Sequence, residues 1–165
     1  MEVKPDGVIE HNGAGEVGAR NIVGYRRLVA EGLSKGSMKA IEELISPDLV
    51  DHQDYGPGFP PGRPGVKALE STLKTAIPDM SSVIQEIVAV DDQTWARVRS
   101  TGKFTGPYLG VPPSGRPIDI VVVESVRWKD GVITEHWGVA DRLTLLYQMG
   151  LIPEGSFPVY RPSTW

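Results

Sequence analysis

An α+β fold, with helices gathered on one concave face of an antiparallel sheet, is what this sequence predicts. Three observations predict it. Apolar residues recur at helical spacing in three segments between Asn21 and Ala76. From Ser82 the hydrophobic period changes to two, as strands require. Near the C-terminus Asp130-Gly131 separates two strand-like runs, one of the strongest short-range hairpin signals.

Residues 1–19, MEVKPDGVIEHNGAGEVGA, hold four glycines and read as a flexible arm, with His11 an exposed loop histidine. Asn21 to Leu33 reads as a helix through Ile22, Tyr25, Leu28, Val29 and Leu33. Ser37 caps a short second helix that Ser46-Pro47 stops, and residues 49–54 enter a Pro/Gly loop in extended form. Arg63-Pro64-Gly65 opens the third helix, whose stripe is Val66, Leu69, Leu73 and Ile77. Strands follow over 82–90 and 94–105, joined by Asp91-Asp92-Gln93, and a second Pro/Gly loop leads into the hairpin. Asp141 to Met149 forms a closing helix, with Asp141 as N-cap and Gly150 as its stop. Residues 152–165 read as an extended tail, leaving 20–151 as the domain proper.

With 165 residues the chain is one domain by length, able to bury roughly 70% of its unfolded surface. It has no cysteine, which removes thiol chemistry and Cys-based zinc sites. The net charge of −4 and the absence of a basic run argue against a nucleic-acid partner. No leader pattern and no apolar stretch near 18 residues stand in the sequence, so a cytoplasmic protein without membrane contact is the expectation.

A two-residue loop at Asp130-Gly131 sets the expected register of the hairpin. Val126 would face Glu135, Glu124 would face Trp137, Val122 would face Val139, and Ile120 would face Asp141. Those eight share one side, apolar except for three carboxylates; His136, Gly138 and Ala140 fall on the other. A bulge would change which residues point inward.

Five segments carry a family resemblance: VDHQ at 50–53, GRPGVKAL at 62–69, AIPDM at 76–80, FTGPYLGVPPSGRPI at 104–118, and DGVITEHWGVAD with LLYQMG over 130–150. Together they resemble the SnoaL-like polyketide (ester) cyclases, which share the cone-shaped fold of ketosteroid isomerase and the nuclear transport factor. The resemblance implies a homodimer or higher homo-oligomer of small subunits, each with a deep apolar pocket. It also implies acid–base catalysis with no metal and no organic cofactor: a carboxylate removes a carbon-bound proton, and a ring closes by intramolecular aldol addition. The family's acid–base carboxylate falls in an E-x-W-x-x-x-D segment, matched here from Glu135 to Asp141. Residues 1–19 and the tail have no counterpart in that pattern.

The catalytic candidates are therefore Asp141, His52, Glu135 and Arg99. For Asp141, general base competes with helix cap, since a cap hydrogen bond lowers a carboxylate's pKa. His52 would stabilise an enolate oxygen, helped by Gln53 or Arg99. Glu135 and Glu124 are either site acids or structural ion pairs to Arg97 and Arg99. Gln53, Trp137, Glu124, Tyr25 and Tyr108 complete the substrate-binding candidates; His136 is expected at a subunit interface or in solvent. No His pair has metal-binding spacing, and GAGEVG at 13–18 lacks the strand that a dinucleotide site needs. Two alternatives stay open. One is an epoxide hydrolase with an arginine between two carboxylates; the other is a ligand-binding or oligomerisation module without catalysis. The half-apolar second face of the hairpin argues for a subunit interface.

Overall fold

A computed structural model of the chain describes residues 2–153, 155 and 156. The helices are α1 (Gly15–Arg27), α2 (Met38–Leu44), α3 (Gly62–Ala76) and α4 (Arg142–Met149). The strands are β1 (Glu2–Val3), β2 (Ile9–Asn12), β3 (Ile45–Asp51), β4 (Ser81–Val90), β5 (Gln93–Lys103), β6 (Pro117–Lys129) and β7 (Val132–Ala140). All seven strands form one curved, open sheet in the order β1-β2-β4-β5-β6-β7-β3. This is the predicted α+β class, with the three early helices and the closing one in their expected order. The first helix runs on from Arg27 into a π-helical turn, Leu28–Leu33.

The N-terminal segment departs from the expected flexible arm. Its β2 lies parallel to β4, from Ile9 beside Glu86 to Asn12 beside Ala89. Val8 is buried in the core, and Arg26 of α1 reaches Asp6 at 2.8 Å and Glu10 at 3.2 Å. Asn12 then starts α1 six residues earlier than the apolar stripe suggested, its side chain accepting from Ala14 N and donating to Gly15 O. One buried valine and a set of ion pairs hold this glycine-rich segment, and neither has a periodic signature. Most of the expected tail lies outside the described residues.

Two apolar clusters form the core. One gathers α1, α2 and the middle of the sheet, around Tyr25, Ile41, Ile87, Val98 and Trp128. The other gathers Ile77, Phe104, Ile118, Leu145 and Met149. In the first, the Trp128 indole donates to Thr94 Oγ1 at 3.0 Å, so its polar edge is satisfied inside the core.

The hairpin turn is the expected one. Asp130 and Gly131 both have positive φ, 53° and 82°, as a type I′ turn demands. Lys129 pairs with Val132 and Trp128 with Ile133. There the expected register ends. Thr134 is an extra residue, so Arg127 pairs with Glu135, Val126 with His136, Glu124 with Gly138 and Val122 with Ala140. Every β7 side chain after Thr134 is thereby on the face opposite to the one expected. The physical reason is the charge on Glu135. Facing Val126 it would sit in the core without a counterion; bulged outward, it accepts from Arg127 Nε at 3.0 Å.

Candidate functional site

A cavity of about 330 Å³ opens where the two core clusters meet under the curved sheet. Its walls are mostly leucine, isoleucine and valine side chains from α3, β6 and α4. The polar groups that reach it include Gln53, Tyr55, Glu70, Tyr108, Glu124, His136 and Arg142. Greasy walls with a few convergent polar groups are what a small-molecule site requires.

The bulge builds the centre of this site. β3 runs parallel to β7, with Asp51 beside His136 in register, so both side chains point into the concave side. His136 Nδ1 lies 2.9 Å from Asp51 Oδ1. A carboxylate only accepts, so Nδ1 carries the hydrogen and Nε2 is left as the ring's basic nitrogen. Asp51 also accepts from the Tyr55 hydroxyl at 2.6 Å and from Gln53 N at 3.0 Å. Burial alone would push the Asp51 pKa up; the bonds from His136 and Tyr55 outweigh it and hold it below the ordinary value. Burial alone would likewise depress His136, but Asp51 and the charge of Glu124 hold it above the ordinary histidine value.

Glu124 enters from β6, its Oε2 accepting from the Tyr25 hydroxyl of α1. Burial, and then Glu124, push the Tyr25 pKa well above the usual phenol range, so this phenol stays a donor. Across the cavity stands Glu70 of α3, 5% exposed, with Oε2 lacking any partner. Burial and then the charge of Glu124 raise its pKa to about 8, against the pull of Lys74.

The sequence candidates divide sharply between the two faces. Gln53, Glu124 and Tyr108 line the cavity, and Tyr25 holds Glu124. Glu135, Trp137, His52 and Arg99 do not reach it, because the bulge and the strand alternation turn them outward. His52 stacks on Trp137, ring centroids 4.5 Å apart, and its Nε2 lies 2.9 Å from Glu135 Oε1. Arg99 grips Asp119 with two bonds, at 2.8 and 2.6 Å, and Arg97 lies 3.6 Å from Glu86. Neither Arg97 nor Arg99 therefore stands between Glu124 and Asp141. Asp141 caps α4, accepting from Thr144 N at 3.0 Å and Thr144 Oγ1 at 2.6 Å. Its neighbours Ala140 and Arg142 line the cavity.

Sequence reasoning missed Asp51, His136, Tyr55 and Glu70. Glu70 left a signal: it lies four residues after Val66 and three before Leu73, inside the apolar stripe of α3. His136 left none, since a single inserted residue decides its face. Among the described residues no group of three or more His, Cys, Asp or Glu is arranged to hold a metal ion, and no helix is long and apolar enough to cross a membrane.

Gly138 gives the pair its room. A Cβ there would come within 2.2 Å of Gln53 Oε1 and 2.9 Å of His136 Nε2. Gly138→Ala is expected to push the Gln53 amide out of place, costing about 1–3 kcal/mol of stability and weakening ligand retention. Thermal unfolding and a ligand titration read both; an unchanged Tm and affinity would show that the close fit is not needed.

The profile of the SnoaL-like polyketide cyclase family matches residues 24–149. No curated protein matches the chain. Among solved structures, IdmH of Streptomyces antibioticus, a candidate polyketide cyclase, is 32% identical, with 79% of this chain and 98% of that one covered and a TM-score of 0.67. A candidate polyketide cyclase of Bacillus cereus ATCC 10987 is 24% identical over 87% of this chain and 91% of its own, with a TM-score of 0.76. AclR of Streptomyces galilaeus, a candidate hydroxylase, is 25% identical over 86% and 88%, with a TM-score of 0.72.

Proposed function

Because this chain belongs to the SnoaL-like polyketide cyclase family, we propose that it is a cofactor-independent acid–base enzyme acting on an apolar, oxygenated, polyketide-like molecule. The observation that carries the proposal is His136, held from behind by Asp51 and lining a largely apolar cavity. In this reading His136 Nε2 takes a proton from the carbon next to a carbonyl, leaving an enolate. Asp51 and Glu124 stabilise the imidazolium that forms. The enolate carbon attacks a second carbonyl of the same molecule, and His136 returns its proton to the resulting alkoxide. Ring closure then balances without a cofactor; protonation at another carbon gives isomerisation instead. Gln53 orients a substrate oxygen beside the imidazole, and Asp141 serves by fixing α4, which brings Arg142 and Leu145 to the cavity.

The test is exchange. Incubated in D₂O with 2-tetralone, a two-ring ketone with acidic α-hydrogens, the protein should accelerate deuterium uptake at the α-carbon. His136→Ala should return the rate to that of buffer. Uptake at the wild-type rate in that variant removes His136 from the role of base.

The same reading includes a second copy of the chain against the outer sheet face. Trp95, Val123, Trp137 and Val139 are exposed there, Val139 by 75%, more apolar surface than a monomer's convex face ordinarily shows. Light scattering should give about twice 18.0 kDa for the wild type and a monomer for Val139→Asp. A wild-type monomer at micromolar concentration would sink the assembly.

A further inference from the structure

We propose that Glu70 works as a carboxylic acid whose O–H donates a hydrogen bond to a carbonyl oxygen of the bound ligand, fixing which end of the ligand points into the cavity. The inference rests on the proposed small-molecule reading of the same cavity and assigns it a donor that the family resemblance did not supply.

Three features of Glu70 and its surroundings lead there. Glu70 lies in the apolar stripe of α3, between Val66 and Leu73, where a polar side chain loses packing unless it has a use. Its Oε2 is buried and makes no hydrogen bond. Among the described residues no cation bonds it: Lys74, one turn on, spends its ammonium on the carbonyls of Ser34 and Met80, at 2.7 and 3.3 Å. The charged and titratable groups facing it from the other elements are Glu124 of β6 and Tyr55 of the loop after β3; the Asp51–His136 pair lies beyond them. A carboxylate without a counterion, set against a second carboxylate in an apolar hollow, keeps its proton. The two glutamates thus part company. Glu124 receives the Tyr25 hydroxyl, whereas Glu70 presents an O–H that finds no acceptor among the described residues. An acceptor oxygen on the ligand completes it. As the α-proton leaves for His136, negative charge grows on that oxygen and the hydrogen bond from Glu70 strengthens, so it assists the transition state more than the ground state.

Isotope-edited infrared spectroscopy of bound 2-tetralone, labelled at the carbonyl carbon, is the experiment. The carbonyl stretch should be shifted to lower frequency in the wild type. Glu70→Gln, which keeps a donor, should retain part of the shift. Glu70→Leu, which packs into the stripe, should abolish it and weaken binding roughly 3- to 10-fold. Wild-type affinity should fall as pH rises through about 8, while Glu70→Gln stays flat. An unshifted wild-type carbonyl, the same shift in Glu70→Leu, or a pH step that survives in Glu70→Gln overturns the inference and leaves the acid–base reading standing. Failure of 2-tetralone to enter the wild-type cavity overturns both.

Discussion

Replacing His136 with alanine is expected to lower turnover by about 10²- to 10⁴-fold, the range that a positioned general base contributes. The loss should appear in kcat, because apolar walls rather than the imidazole hold the ligand. Asp51→Asn is expected to fall in the same direction, since an amide can present its N–H to Nδ1 and so favour the wrong tautomer. The pH profile gives an independent check. His136 works as a base only when neutral, and Asp51 and Glu124 hold its pKa above the ordinary histidine value, so the acid limb should lie above that value. Loss of the Glu70 proton near 8 supplies the falling limb. The pair also contributes to folding with a definite sign. The share tied to raised His136 is full below the unfolded histidine pKa and fades as pH rises through the folded one. The share tied to lowered Asp51 is full above the unfolded aspartate pKa and fades as pH falls through the folded one. An activity profile with no acid limb, or a His136→Ala variant that keeps wild-type kcat, would contradict the assignment.

Trp128→Ala is expected to remove about 3–5 kcal/mol of stability, a large share of what a domain of this size possesses. The indole is 4% exposed and belongs to the larger core cluster. Its loss leaves a cavity that backbone shifts cannot close, because Trp128 pairs with Ile133 immediately before the bulge. It also strands Thr94 Oγ1, which is fully buried. Trp128→Phe should recover most of the packing but not that hydrogen bond, and should fall between the two. Urea denaturation reads the series through the midpoint at constant slope. A loss under about 1 kcal/mol in the alanine variant would mean that the neighbouring helices refill the space.

Much of this architecture was legible because it rests on local chemistry. Period changes marked the helices and strands, Asp130-Gly131 marked the turn, Ser37 and Asp141 marked two helix starts, and Glu124 was placed on the cavity side. What was not legible depends on partners distant in the chain. β2 lies between β1 and β4, and the glycine content of its segment gave no sign of that pairing. The parity of β7 depends on Thr134, and the bulge is settled by Arg127 outside and Asp51 inside, neither a neighbour in sequence. Asp51 was passed over for His52, one position away, and in a strand one position is the difference between the two faces. Glu70 was passed over although its phase within α3 matches the apolar residues on either side.

The parallel contact between β3 and β7 has a temporal meaning. Asp51 leaves the ribosome 85 residues before His136, and the two strands meet at the far edge of the sheet. Such a distant pairing is among the slower events of folding. A chain in which β3 has not yet docked on β7 therefore lacks the contact between Asp51 and His136, whatever else of the cavity has formed.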